Sequence, residues 1–224
     1  MSHKLLHIFF IFTFVINSIF AEETEEIISV ASYLESGELK ASPVDVISAE
    51  EFKNLRVSNV AELSKYLSIA SGSNFQTNAL DGVDQGMANI TLRGMDHAST
   101  LVLINKKRQT HSGTPSDEGE GYIDINIIPE IALNRIEILK DGATSLYGSD
   151  AVAGVINFQT FQEFNGMRLM LGSQKTSNYD QRDNSLGALF GGDAFGGSYV
   201  FALSSLNKST LSSSRIPKFA ELGL

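Results

Sequence analysis

Outside the N-terminal apolar run the chain carries two histidines, His97 and His111, fourteen positions apart and without helical or CxxC-type framing. Two imidazoles so spaced do not make a metal-ligand set, and no metal is expected. Carboxylates are plentiful, but pairs such as Glu50 and Glu51 fall on a predicted helix surface, where solvation accounts for them. There is no G-x-S-x-G elbow, H-E-x-x-H, P-loop or G-x-G-x-x-G, and "GGDAFGG" (191–197) has the wrong spacing to cradle a phosphate. Neither catalysis nor a cofactor is therefore expected.

Three cations offer a different chemistry. Arg93, Arg135 and Lys140 stand at predicted strand edges in an acidic chain, either as solvated surface charges or as partners in ion pairs, with Glu137 an available internal partner. Gly142, Gly148 and Gly154 punctuate the same stretch, allowing turns and close backbone approach. Tyr147 is read as the packing anchor of the turn "ATSLYG", and Asn157 as a hydrogen-bond partner for neighbouring backbone.

The elements that must position these residues can be read from composition and pattern. The first 21 residues, with Lys4 ahead of "LLHIFFIFTFVI" and Ala21 ahead of "EETEE", read as a secretory signal. The run is short for spanning a hydrocarbon core of about 30 Å. Of 17 basic and 26 acidic residues the signal takes one lysine, leaving 16 against 26, a balance of -10. Phosphate binding needs concentrated Lys and Arg, so a nucleic-acid partner is not expected. There is no cysteine, so an exported chain must hold together by core packing or by a surrounding host structure.

Residues 22–42 form an acidic linker around the island "IISVAS" (27–32), either an edge strand or leader, or a peptide that adds a strand to a partner's sheet. From Pro43, "VDVIS" predicts a strand, and Ser48 with Glu51 a capping box for the helix "AEEFKNL". Asn59 and Glu62 repeat that device ahead of "VAELSKYL", whose Leu63, Tyr66 and Leu67 share one helical face. Strands are predicted at "NITLRG" (89–94), "TLVLINKK" (100–107), "NRIEILK" (134–140) and "GVINFQT" (154–160), with a long exposed loop before Ile123. Short helices on a small mixed sheet make an α+β domain.

After Phe164 the pattern changes to strict alternation in "GMRLMLG", "SLGALFG" and "SYVFALSS", separated by the polar "SQKTSNYDQRDN" and the glycine turn "GGDAFGG". Such strands fit the start of an outer-membrane barrel, or a β-meander burying its large face in a protein core. Three strands cannot stand in lipid with open edges, so the chain reads as the front part of something longer.

Taken together, "ANITLRGMDHASTLVLINKKRQ" and "NRIEILKDGATSLYGSDAVAGVINFQT" resemble the strand, Arg-Gly turn, strand unit and the plug-closing segment of TonB-dependent outer-membrane receptors. The resemblance runs from about Glu25 to Leu206 and departs where many members carry Arg-Gly-Pro and this chain has Lys140-Asp141-Gly142. It implies a signal at 1–21, a TonB box and linker at 22–42, a plug at 43–162 and a barrel start at 163–224. In that frame Glu26, Ile27, Ile28, Ser29, Val30 and Ala31 would bind TonB, which works with ExbB and ExbD. Arg93, Arg135, Glu137 and Lys140 would make plug–barrel contacts. Gly94, Gly142, Tyr147, Gly148, Gly154 and Asn157 would shape the plug's turns. Asp96, His97 and His111 would meet the substrate, a small-molecule nutrient or metal chelate such as a ferric siderophore. The barrel would contact outer-membrane lipid of a Gram-negative bacterium. The alternatives are a stand-alone exported plug-like binding module and a signalling receptor, for whose extra domain Glu22 to Glu25 leaves no room.

Overall fold

The computed structural model describes residues 44–57, 59–73, 87–113, 119–176, 181–194 and 196–209; the signal and the proposed TonB box, Glu26 to Ala31, lie outside them. Strand β1 (Val44–Ser48) runs straight into helix α1 (Ala49–Asn54). The capping box forms: the Glu51 N–H donates to Ser48 Oγ at 3.2 Å, and the Ser48 N–H donates to Glu51 Oε2 at 2.8 Å. Phe52 is the residue this helix buries. At Asn59 only half the device appears. Its side chain accepts from the Glu62 N–H at 3.1 Å, while the Glu62 carboxylate turns instead to Lys65 and Lys208. The segment it caps, Val60–Tyr66, is a 3₁₀ helix enclosed through Ser64, and its last turn leaves the core. Tyr66, expected on the packed face, is therefore 55% exposed.

The first sheet has the order β1-β4-β5-β2-β3, with β2 (Thr100–Ile104), β3 (Lys107–Arg108), β4 (Leu133–Leu139) and β5 (Gly154–Thr160). β2 and β5 are parallel and the other pairs antiparallel, so the sheet is mixed. Central β4 and β5 are buried on both faces, one lined by Ile136, Ile138, Ile156 and Phe158, the other apolar at Leu139 and Val155 but carrying the buried Glu137 and Asn157 between its ends. Ile136, Ile138, Ile156 and Phe158 meet Phe52, Val60, Leu63, Ile90 and Leu92 on one side. Leu139 and Val155 meet Leu101, Leu103, Ala143 and Ala151 on the other.

Two expectations need correction. Residues 89–94 are not a strand. Hydroxyls and turns take up their amides instead: Thr91 N–H donates to Ser73 Oγ at 2.9 Å, Leu92 N–H to Thr100 Oγ1 at 2.9 Å, and Arg93 N–H to the Ile69 carbonyl at 2.7 Å. The segment at 100–107 is broken by a two-residue turn, because Asn105 and Lys106 both have positive φ, 52° and 65°, the geometry whose twist matches a hairpin.

The last three strands, β6 (Gly166–Lys175), β7 (Arg182–Ala194) and β8 (Gly197–Lys208), form a separate antiparallel sheet of 10, 13 and 12 residues. The dozen-residue loop and seven-residue turn expected between them are shorter than predicted. The ladder continues past the apolar belt through Ser173↔Asn184, Gln174↔Asp183 and Lys175↔Arg182, and at the other end through Asp193↔Ser198. Met167, Leu169, Leu171, Phe190, Phe201 and Leu203 share the outer face, Leu171 being 81% exposed, whereas inward Leu189 is fully buried. An ordinary meander would bury its large face; this one turns that face away from the protein.

Candidate functional site: the plug core, a small polar pocket and the wall contact

Each predicted cation finds a partner inside the α+β domain. Arg135 Nε lies 3.1 Å from Glu137 Oε1, and Glu137 is 0% exposed. The same carboxylate accepts from Asn157 Nδ2 at 3.0 Å and Gln159 Nε2 at 2.8 Å. Asn157 in turn accepts the Lys106 N–H at 2.9 Å, so one network joins β4, β5 and the β2–β3 turn. A buried carboxylate is tolerable only when compensated in this way. Lys140 pairs with Asp45 of β1, while Arg93 donates to the Lys140 carbonyl and lies 3.1 Å from Asp141.

Among the turn glycines, Gly154 is the one most tightly required. Its φ is +144°, and a Cβ there would run into the Leu139 carbonyl and lie 2.7 Å from Leu92 Cδ1. Gly94 and Gly148 also have positive φ, 65° and 85°, and Gly142 sits against the Val152 carbonyl. Tyr147 closes helix α2 (Thr144–Tyr147), packs on the second apolar cluster, and gives its carbonyl to Arg108.

His97 and His111, far apart in sequence, line one cavity of about 90 Å³ with Tyr122, Arg108 and Asp150. The His97 and Tyr122 rings are 5.9 Å apart. The bond from Arg108 holds the Asp150 carboxyl below its ordinary value. Asp96 does not line this cavity; it precedes the short turn His97–Ser99 and is exposed. No group of three or more potential ligands that could hold a metal occurs among the described residues.

Contacts between the α+β domain and β6–β8 come from residues the sequence did not single out. Ile131, in the 3₁₀ turn Glu130–Ala132, sits over Gly187 of β7, and an ideal Cβ at Gly187 would be 3.3 Å from Ile131 Cβ. The Glu130 carboxyl bonds Ser204 of β8, and burial pushes it above its ordinary value. Lys208 Nζ lies 3.8 Å from both Glu62 of the plug and Asp183 of β7, while Lys65 holds Glu62 at 3.2 Å. Gln174 Nε2 donates to the Arg56 carbonyl at 3.1 Å. At the covalent junction, the Arg168 guanidinium lies 5.1 Å from the Phe161 ring and 5.3 Å from the Phe164 ring. The alternation in β8 carried half of this signal: Ser204 and Lys208 share the face opposite Tyr199, Phe201 and Leu203. Nothing local marked Glu62 or Glu130 as their partners.

Comparison with known proteins gives a consistent picture. The family model for the TonB-dependent Receptor Plug Domain matches residues 38–155. The chain is 32% identical over 143 residues to an iron-regulated outer membrane virulence protein of Vibrio cholerae, covering 62% of this chain and 21% of the relative. It is 31% identical over 130 residues to the ferrienterobactin receptor of Escherichia coli, covering 54% and 17%. It is also 29% identical over 156 residues to the vitamin B12 transporter BtuB of Vibrio vulnificus, covering 64% and 24%. The crystal structure of the siderophore receptor PirA from Acinetobacter baumannii superposes with a TM-score of 0.58 at 26% identity, covering 78% of this chain and 26% of that one. The matched region is thus about a fifth of the length of these curated relatives.

Proposed function

Because the chain belongs to the family of TonB-dependent receptor plug domains, we propose that it is the plug-bearing part of an outer-membrane receptor for energy-coupled uptake of a scarce nutrient such as a ferric siderophore. The observation that carries this reading is a division of faces on β6–β8. The outer face is apolar, and the inner face is in contact with a separately cored α+β domain. A domain lying against the inside of such a wall occupies the space through which a solute would pass. The names of the relatives, a ferrienterobactin receptor and a vitamin B12 transporter among them, support metal chelates and cobalamin as the substrate classes to test. The cavity lined by His97 and His111 and the exposed Asp96 are the plug positions proposed to meet such a ligand.

Coupling is assigned to Glu26 through Ala31, "EIISVA", pairing as a strand with the C-terminal domain of TonB, itself energised with ExbB and ExbD. Arg93, Arg135, Glu137 and Lys140, beyond their pairs within the plug, are proposed to meet further barrel strands. The receptor is placed in the outer membrane of a Gram-negative bacterium, its barrel in contact with lipid. Proline at Ile28 or Val30 removes a backbone donor and is expected to abolish uptake while ligand binding persists; unchanged uptake would overturn the coupling assignment. A stand-alone binding module would instead fractionate with the periplasm.

A further inference from the structure

We propose that the plug parts from its wall at one end only, releasing a seat on β7 and β8 while pivoting on a clasp at its covalent junction. This rests on the reading that the plug gates a lumen. The two ends of the contact differ in kind. At the seat, Ile131 occupies the notch left by Gly187, Glu130 bonds Ser204, and a neutral set of four charges bridges the surfaces. In that set Lys208 is 3.8 Å from Glu62 and from Asp183, and Lys65 is 3.2 Å from Glu62. The 3.2 Å pair lies within the plug and the pair that crosses to it is longer, so separation leaves Glu62 with Lys65 and Lys208 with Asp183. Neither surface is left with a lone charge, so the contact can open without the cost of stranding an ion.

The clasp has the opposite character. Arg168 of β6 lies over both Phe161 and Phe164, whose rings are 5.7 Å apart. A Cβ at Gly191 of β7 would collide with the Phe164 carbonyl, so the junction itself lies against the wall. Five residues, 161–165, separate the end of β5 from the start of β6, so this end cannot travel far whatever the rest does. A contact closed in both states contributes equally to both and does not bias opening.

The test uses the full receptor in liposomes, with leak of an uncharged trisaccharide measured across a urea series. The chain has no cysteine, and the 3.3 Å separation at the notch is close to the Cβ spacing of about 3.8 Å that a disulfide needs. An Ile131→Cys/Gly187→Cys receptor, oxidised, is expected to stay closed where the reduced form leaks. Lys208→Gln and Glu62→Gln are expected to move the leak midpoint to lower urea, whereas Glu62→Lys with Lys208→Glu, which keeps the crossing pair but leaves like charges beside Lys65 and Asp183 on parting, is expected to move it above the wild-type value. Arg168→Gln is expected to leave the midpoint in place. The inference is overturned if the oxidised pair leaks like the reduced one, if the single charge variants leave the midpoint unmoved, or if Arg168→Gln shifts it as Lys208→Gln does. Deleting residues 43–160 separates the two levels: absence of leak from that receptor rejects the gating reading itself, whereas leak from it with a null result above rejects only the one-ended opening.

Discussion

Ile131 of the plug rests on Gly187 of the wall so closely that a methyl group at Gly187 would lie 3.3 Å from Ile131 Cβ and 3.3 Å from its Cδ1. A glycine inside a strand ordinarily weakens it, and here its use is to admit a neighbouring side chain. Gly187→Ala asks Ile131 to yield by a few tenths of an ångström, and Gly187→Val asks for more than the site can give. Overpacking of this kind costs about 1–3 kcal/mol. Protease resistance of the plug in the inserted receptor should fall from wild type through Gly187→Ala to Gly187→Val, and Ile131→Ala should rescue the valine variant. Equal resistance in all of them would show that the contact does not bear on plug stability.

The buried Glu137 makes a second prediction. Its carboxylate takes Arg135, Asn157 and Gln159 at 2.8–3.1 Å. Removing one member of a buried pair costs about 3–5 kcal/mol because the other is left without its counter-charge. Arg135→Ala, which strands the fully buried Glu137 carboxylate, should therefore lower the plug's unfolding midpoint sharply, Glu137→Ala less sharply because the Arg135 left behind is partly exposed, and the double variant by less than the sum. Strict additivity would mean that the two groups do not act as a pair.

These cases show which parts of the molecule the sequence could disclose. Ser48 and Glu51 are three residues apart, so their cap was readable from spacing alone, as were the alternating faces of β6 to β8. The strand expected at 89–94 failed because Ser73 and Thr100 supply the partners that a ladder would have given. Neither hydroxyl is near in sequence. Likewise the pairing of His97 with His111 around one cavity, and of Glu62 with Lys208, depends on how the chain returns on itself, and a single sequence carries no record of that.

Gly154 offers a sharper test of the plug-closing turn. At φ +144° an L side chain is strained before any contact is considered, and the Leu139 carbonyl occupies the Cβ position. Gly154→Ala should prevent the β4–β5 pairing from closing, seen as loss of protease-resistant plug from membranes that still contain the barrel. A variant with normal resistance would mean that the backbone can relax at Val155 and Leu139, which their fully paired register opposes.

Glu130 sets the direction of a pH dependence. Burial favours its neutral form, while its own backbone and the Ser204 hydroxyl act the other way and only in part. With a folded value above the ordinary 4.5, the folded state holds the proton more tightly than the unfolded one between the two values. The contribution is therefore fully present below about 4.5 and is lost as pH rises through the folded value. Glu130→Gln keeps the shape and cannot ionise. Across that window the wild-type plug should lose protease resistance relative to the glutamine variant as pH increases, the two converging at the acidic end. Parallel profiles for the two proteins would show that the carboxyl is already ionised when it faces Ser204, and that the wall tolerates its charge.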